Sequence, residues 1–223
     1  MANHLDLEEQ EQIEQLKHFW NTWGSLITGV LVVVFAAVAG WNGYQYWQQR
    51  QAAKASAMSS VVSQALAAKD LDRASQALAE LEKEYGSTLQ AQQAALQLAK
   101  AAVEADKLDE AKAALTWVAE KGSEGLQGLA KLRLSAVLQQ QDQLDEALKA
   151  LDGKLPEAYA ALVADRRGDL LSAQGKGEQA VAEYQRAHAA FEKGSEYARL
   201  VEFKLNALGA EPTGQTPTAE KQS

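Results

Sequence analysis

The stretch Asp106-Lys107-Leu108-Asp109-Glu110-Ala111 decides the fold, because variants of it recur along the chain. The other copies are Lys69-Asp70-Leu71-Asp72-Arg73-Ala74, Asp142-Gln143-Leu144-Asp145-Glu146-Ala147 and the fainter Gly175-Lys176-Gly177-Glu178-Gln179-Ala180. The alanines that close the four copies therefore recur at a nearly constant interval, as Ala74, Ala111, Ala147 and Ala180. Such a regular period indicates a stack of similar structural units.

Each copy combines a short polar turn with the start of a helix. Acidic residues there can satisfy the free N–H groups of a helix N-terminus, and the small alanine lets two helices lie close together. Apolar residues follow the alanines by four and seven positions, as one stripe of a helix requires: Leu78 and Leu81, Leu115 and Val118, Leu151, Tyr184 and Ala187. The period matches that of tetratricopeptide repeats, which are helical hairpins of about 34 residues.

We therefore predict an all-α fold, with a tetratricopeptide-like α-solenoid over residues 50–208. It has about four helical hairpins, and the helix at 196–207 caps the apolar face of the last one. The predicted helices are 22–68, 71–84, 90–105, 109–121, 125–141, 145–152, 157–173, 177–192 and 196–207. Residues 209–223 contain no large apolar residue and are predicted to be a disordered tail.

A membrane span is predicted near the N-terminus, because no charged residue lies between His18 and Arg50. Trp20 and Trp23 precede its apolar centre, and Trp41, Tyr44, Tyr46 and Trp47 follow it, as in the aromatic belts of membrane helices. A helix from Trp23 to Trp41 measures about 27 Å, close to the hydrocarbon thickness of about 30 Å. The segment 22–47 is thus predicted to be a single transmembrane helix.

Two other interpretations of this segment stay open. A soluble core helix is also apolar, and Ala37-Val38-Ala39 resembles a signal-peptidase site. The acidic residues before the span argue against a signal peptide, since such peptides begin with basic residues. Residues 1–18 are a short acidic segment in which 3–18 is predicted to form a short helix; the segment is either a solvated tail or a docking or regulatory peptide. Lys17 on one side and Arg50 with Lys54 on the other leave the orientation open.

Composition disfavours several functional classes. With 22 Lys and Arg against 30 Asp and Glu, the net charge of -8 disfavours a nucleic-acid-binding protein. The absence of cysteine excludes disulfides, thiol catalysis and Cys-ligated metals. No catalytic, cofactor-binding or metal-ligating residue is predicted, and we expect no enzyme activity. An enzyme site built from Asp, Glu and Arg on the concave face is the alternative.

The concave face of the solenoid is the predicted partner-binding surface. Such faces bind extended or helical peptides. The first-helix residues predicted to lie there are Gln93, Leu96, Lys100, Leu132, Gln139, Asp165 and Asp169. The charged stretch Asp165-Arg166-Arg167-Gly168-Asp169 is either an ion-pair network or a polar floor for a partner peptide.

The sequence resembles the YfgM-type family of ancillary SecYEG translocon subunits over residues 10–208. The resemblance is carried by Leu132-Arg133-Leu134, by Asp145-Glu146-Ala147-Leu148-Lys149-Ala150-Leu151-Asp152, and by Ala161-Leu162-Val163-Ala164-Asp165-Arg166-Arg167-Gly168-Asp169-Leu170-Leu171. The acidic N-terminus and the aromatic-bounded span fit the same family. The charges of Arg50 and Lys54 and the tail after residue 208 depart from it.

The resemblance implies a bacterial inner-membrane protein with a cytoplasmic N-terminus and periplasmic repeats. The implied partners are the SecYEG translocon, a membrane-anchored periplasmic chaperone of the prolyl-isomerase-like type, and unfolded segments of translocated proteins. The implied function is non-enzymatic, the passing of newly translocated proteins to periplasmic chaperones. The family's cytoplasmic end has also been linked to an envelope-stress regulator. On the residues alone, an assembly factor for another cell-envelope complex is the alternative function.

Overall fold

The structure is a computed structural model that describes residues 7–153 and 155–212, with side chains from residue 11 onward. The predictions for residues 1–6 and for the tail from residue 213 lie outside the described residues. The chain divides into two compact units, Met1–Gln51 and Ala52–Ser223, which are described separately.

The described part of the first unit is a single helix. It belongs to α1, Leu7–Ala67, whose residues after Gln51 are part of the second unit. Within the described residues, this is the one helix long and apolar enough to cross a membrane. Its apolar side chains are exposed, with Val33 and Phe35 each at 68%. The helix begins at Leu7, so the start predicted near residue 22 is wrong. The described part of the acidic segment is continuous with the apolar helix.

The second unit is built from helical hairpins, and no strand occurs among the described residues. After α1 come α2 (Leu71–Tyr85), α3 (Leu89–Glu104), α4 (Leu108–Lys121), α5 (Glu124–Gln140), α6 (Leu144–Ala150), a 3-10 turn (Glu157–Tyr159), α7 (Ala160–Ala173), α8 (Gly177–Ala190) and α9 (Glu196–Ala207). Helices that are adjacent in sequence pack against each other. The all-α prediction is confirmed, and the other predicted helices differ from these bounds by only a few residues.

The same turn joins the two helices of each hairpin. One residue adopts a left-handed conformation with φ between 58° and 74°, five positions before the repeat alanine: Lys69, Asp106, Asp142 and Gly175. The N–H of the next residue donates to a carbonyl five positions earlier, as from Lys107 to Ala102 at 2.8 Å. This is the Schellman geometry that ends helices. It occurs a fifth time after α9, where Gly209 has φ 73° and Ala210 donates to Leu205 at 3.0 Å.

The repeated aspartates play two different parts. Asp70 accepts a hydrogen bond from the N–H of Arg73 at 3.0 Å, so the predicted N-terminal cap is confirmed in the first copy. Asp109 and Asp145 lie inside the first turns of α4 and α6 and are not caps. They accept hydrogen bonds from Gln141 and Gln174 of the following hairpin, at 2.8 and 2.9 Å. These two aspartates therefore tie neighbouring hairpins together.

The predicted apolar stripe forms the interior. The four repeat alanines are fully buried, and the large residues that follow them are at most 4% exposed, among them Leu81, Leu115, Leu151 and Tyr184. One core cluster runs from the end of α1 to α7, and a second lies between α7, α8 and α9. At Gly168 an added Cβ would lie 2.5 Å from the Tyr184 ring. A larger residue there would force α7 and α8 apart.

Two elements depart from the repeat pattern. The helix α6 has 7 residues, whereas α2 has 15 and α4 and α8 have 14 each. The helix α9 buries Val201 and Leu205 against the last hairpin, as the predicted capping role requires. Its outward side is nevertheless apolar, because Leu200 and Phe203 are 49% and 72% exposed.

Candidate peptide-binding surface

The first helices of the hairpins present one common face. On each of them, four positions spaced by four, three and four lie on the same side, and the last of them is two positions before the left-handed turn residue. We call this set the inner face: Gln93, Gln97, Lys100 and Glu104 on α3; Leu129, Arg133, Ala136 and Gln140 on α5; Leu162, Arg166, Asp169 and Ala173 on α7. The inner face is also in direct contact with α1, because the Ser63 hydroxyl of α1 donates to the Gln97 side chain at 3.4 Å.

A groove opens on the inner face between α3 and α5. Its volume is about 370 Å³. The floor is apolar and the rim carries long polar side chains: Ala99, Val103, Leu115, Ala136 and Val137 below, Lys100, Glu104, Arg133 and Gln140 around the edge. Lys100 and Glu104 form an exposed ion pair at 3.7 Å, which contributes little to stability. An apolar floor with a polar rim is the composition of surfaces that bind other polypeptides.

The residues predicted for this surface fall into three groups. Lys100 lies on the groove rim, and Gln93 is exposed on the inner face. Leu96 is 6% exposed and belongs to the core, while Leu132 and Gln139 are half-buried. Asp165 and Asp169 contact α9 through the side chain of Lys204. Gln93, Lys100 and Asp169 belong to the inner face, whereas at Leu96 and Leu132 the prediction is one residue away from the exposed positions Gln97 and Arg133.

Lys204 of α9 holds the two aspartates of α7. Its Nζ lies 2.7 Å from an oxygen of Asp165 and 2.7 Å from an oxygen of Asp169. The Tyr184 hydroxyl donates to Asp169 at 2.9 Å, and the Tyr184 ring lies 5.4 Å from the same Nζ. Burial raises the pKa of Asp165, and the hydrogen bond from Lys204 opposes that shift. Burial and the bond to Asp169 also raise the pKa of Tyr184. This geometry favours the ion-pair interpretation of the charged stretch.

The two arginines of the same stretch anchor α7 to the preceding hairpin. Arg166 donates from Nε to the Ser135 hydroxyl and from Nη2 to the Ser135 carbonyl, both at 3.1 Å. Ser135 is fully buried, and burial lowers the pKa of Arg166. Arg167 donates to the Leu151 carbonyl at 3.2 Å and pairs with Asp152. Arg167 therefore satisfies a carbonyl at the end of the short helix α6.

Of the polar groove rim, sequence reasoning identified Lys100 but missed Glu104 on α3 and Arg133 and Gln140 on α5. A usable signal was present, because equivalent rim positions recur relative to the turn residues Asp106 and Asp142: Glu104 and Gln140 each lie two positions before them. Hydrophobic periodicity does not show this face on α3, because buried alanines lie on several sides of that helix. Among the described residues, no group of three or more His, Asp or Glu side chains is arranged to hold a metal ion.

Comparison with known proteins identifies the family. Residues 17–210 match a family model described as a tetratricopeptide repeat-like domain. The ancillary SecYEG translocon subunit of Neisseria gonorrhoeae is 32% identical over 213 residues, which cover 93% of this chain and 100% of that protein. This chain belongs to the same family. The membership indicated by its sequence is thus confirmed.

Two further relatives carry the same name. The ancillary SecYEG translocon subunit of Escherichia coli is 30% identical, with 90% of this chain and 96% of that protein covered. The one of Haemophilus influenzae is 31% identical, with 91% and 98% covered. The similarity therefore includes both the long N-terminal helix and the hairpins of the family.

Proposed function

We propose that this protein is a non-enzymatic scaffold, anchored in the bacterial inner membrane and associated with the SecYEG translocon. The observation that carries the proposal is its near full-length similarity to proteins named ancillary SecYEG translocon subunits. The apolar helix α1 supplies a means of anchoring, since it is long enough to cross a bilayer. The hairpins supply a binding surface of the kind that tetratricopeptide-like repeats present.

We further propose that the scaffold passes newly translocated proteins to periplasmic chaperones, among them a membrane-anchored chaperone of the prolyl-isomerase-like type. The groove between α3 and α5 would contact one such polypeptide at a time. Its small volume and its charged rim support weak, rapidly reversible binding, because only a small area can be buried there. Weak binding suits a protein that must release what it receives.

Association is tested by purifying the tagged full-length chain from membranes in mild detergent. We expect SecYEG and the chaperone to co-purify. The groove variant Arg133→Glu should lower recovery of the chaperone or of translocated chains, whereas Lys121→Glu makes the same charge change on an exposed residue outside the groove. Recovery of neither the translocon nor the chaperone would overturn the proposal. Recovery of a different envelope complex would favour the assembly-factor alternative.

Orientation is tested with single cysteines, because the chain contains none. Glu11→Cys and Ala189→Cys place one thiol before and one after the apolar segment of α1 in the sequence, both at exposed positions. With a cytoplasmic N-terminus, a membrane-impermeant maleimide added to cells with a permeabilised outer membrane labels only the cysteine at position 189. Labelling at position 11 alone would reverse the proposed topology.

A further inference from the structure

The charged residues of the hairpins are divided unequally between two sets of helices. The second helices of the hairpins, α2, α4, α6 and α8, contain 11 acidic and 6 basic residues. The helices α3, α5, α7 and α9, which end in the same left-handed turn, contain 6 acidic and 7 basic residues. The negative charge is therefore carried by the second helices, and the inner face belongs to the set that is nearly neutral.

Arg133 is the one basic residue of this nearly neutral set that has no partner. In the part of the chain that the structure describes, it forms neither an ion pair nor a side-chain hydrogen bond, and it is exposed on the groove rim. The other basic residues of the set each contact an oxygen of another residue: Lys100, Lys131, Arg166, Arg167, Arg199 and Lys204. The charge of Arg133 can therefore pair with a group that another molecule supplies.

The groove beside Arg133 is suited to an apolar side chain. Its volume of about 370 Å³ is more than twice the roughly 150 Å³ of a protein cavity that binds benzene, and its floor is apolar. A carboxylate next to that side chain would stay hydrated at the rim, where the planar guanidinium of Arg133 matches its two oxygens. The one acidic residue of the rim, Glu104, already faces Lys100 at 3.7 Å.

We propose that the groove between α3 and α5 binds a polypeptide segment in which an apolar side chain lies next to a carboxylate. The apolar side chain enters the groove, and the carboxylate pairs with Arg133. The acidic second helices repel such a segment, so electrostatic attraction directs it to the inner face. The proposal rests on the proposed function, because it names the chemical class of polypeptide that the groove receives.

Photocrosslinking with two matched peptides tests the proposal. Each peptide carries one benzoylphenylalanine, the apolar group, between residues of one charge: glutamates in the acidic probe and lysines in the basic probe. The full-length chain is held in nanodiscs of phosphatidylcholine, which has no net charge. We expect the acidic probe to crosslink to α3 and α5 at the groove, with about tenfold higher yield than the basic probe. Equal yields, no crosslinking of the acidic probe at up to about 1 mM, or crosslinks confined to other helices overturn the proposal.

Reversal of one charge tests the role of Arg133. We expect Arg133→Glu to lower the yield of the acidic probe about tenfold and to raise that of the basic probe, because an attraction becomes a repulsion. Lys121→Glu makes the same change on α4, at an exposed residue outside the groove, and should leave the ratio of the two yields unchanged. A merely structural role for Arg133 would lower both yields together, and that result also overturns the proposal.

Ala136→Phe tests the floor of the groove. Ala136 lines the groove and is half-buried, so a larger side chain there takes up space that the probe needs. We expect a several-fold lower yield for the acidic probe, with helicity unchanged by circular dichroism. Wild-type yield from folded Ala136→Phe overturns the proposal; if this variant does not fold, the exchange of preference in Arg133→Glu decides alone. Failure here leaves the co-purification of SecYEG unaffected, so the two proposals can be judged separately.

Discussion

The helices α2 to α5 and the helices α7 to α9 are held together in different ways. In the first region, alanine and leucine fill the interior, and Ala94, Ala111, Leu115 and Val118 are all at most 2% exposed. In the second region, polar side chains link the helices as well: Lys204 pairs with its two aspartates, and His188 lies within hydrogen-bond distance of Glu202, at 2.9 Å. Apolar packing depends on volume, whereas charge pairs depend on protonation. The two regions should therefore respond differently to pH.

The largest effect is expected in the apolar region. Leu115→Ala removes a side chain that is 2% exposed and also part of the groove floor. We expect a loss of about 2–5 kcal/mol in unfolding free energy, with little dependence on pH. Urea denaturation of the full chain in detergent, followed by circular dichroism, measures it. Leu89→Ala is the control, because Leu89 is 51% exposed and should lose less than about 0.5 kcal/mol. Equal losses would contradict the comparison.

The next effect is expected where charges join α7 to α9. Lys204→Met leaves Asp165 and Asp169 close together without their cation. We expect a loss of about 2 kcal/mol at pH 7, less than the roughly 3–5 kcal/mol for fully buried pairs. The loss should shrink toward pH 4, because burial already raises the pKa of Asp165 and protonation removes its charge. The same denaturation at both pH values checks this, with exposed Lys193→Met as control. If the loss of unfolding free energy were the same at both pH values, the two regions would not differ in their response to pH.

A smaller effect of opposite sign is expected at Glu82, the exception within the apolar region. It lines a cavity of about 230 Å³ with Leu78, Leu98 and Ala114, and burial raises its pKa to about 7. The unfolded chain releases this proton near pH 4.3. Between these values the folded chain holds a proton that the unfolded chain has lost, so stability falls as pH rises to about 7 and stays lower above it.

Glu82→Gln should remove that loss. We expect the variant to gain roughly 1–2 kcal/mol at pH 8, since one pKa unit corresponds to about 1.4 kcal/mol and partial exposure reduces the effect. The melting temperature should rise by about 3–6 °C at pH 8 and remain unchanged at pH 4. An equal rise at both pH values would show that the cause is not ionisation.

The smallest effect is expected on the groove rim. Arg133 is exposed, so Arg133→Gln should change the unfolding free energy by less than about 0.5 kcal/mol at any pH. Thermal denaturation checks this. A larger change would mean that rim charges, like those near α9, help to hold the hairpins together.

The helices and the buried residues were predictable because residues close together in each repeat determine them. The alanine that closes each copy, and the apolar residues four and seven positions later, follow from helix geometry alone. The orientation of the inner face was less accessible. In α3 the buried residues Ala94, Ala95, Leu96, Leu98 and Ala99 cover much of the helix circumference, so the apolar pattern does not show which side faces outward.

The links between distant residues could not be predicted from the sequence pattern. Asp165 and Lys204 are 39 positions apart, and Arg166 and Ser135 are 31 apart. Each pair meets only because successive hairpins stack in one particular way.

The turn after α9 makes the chain extensible. Gly209 and Ala210 already direct the backbone as the turns after the other first helices do. A second helix with the sequence of α8 could be grafted after Ala210 without altering any upstream residue. The repeated layout thus permits the solenoid to be lengthened by gene fusion. The exposed apolar side chains of Leu200 and Phe203 provide a surface against which an added hairpin can pack.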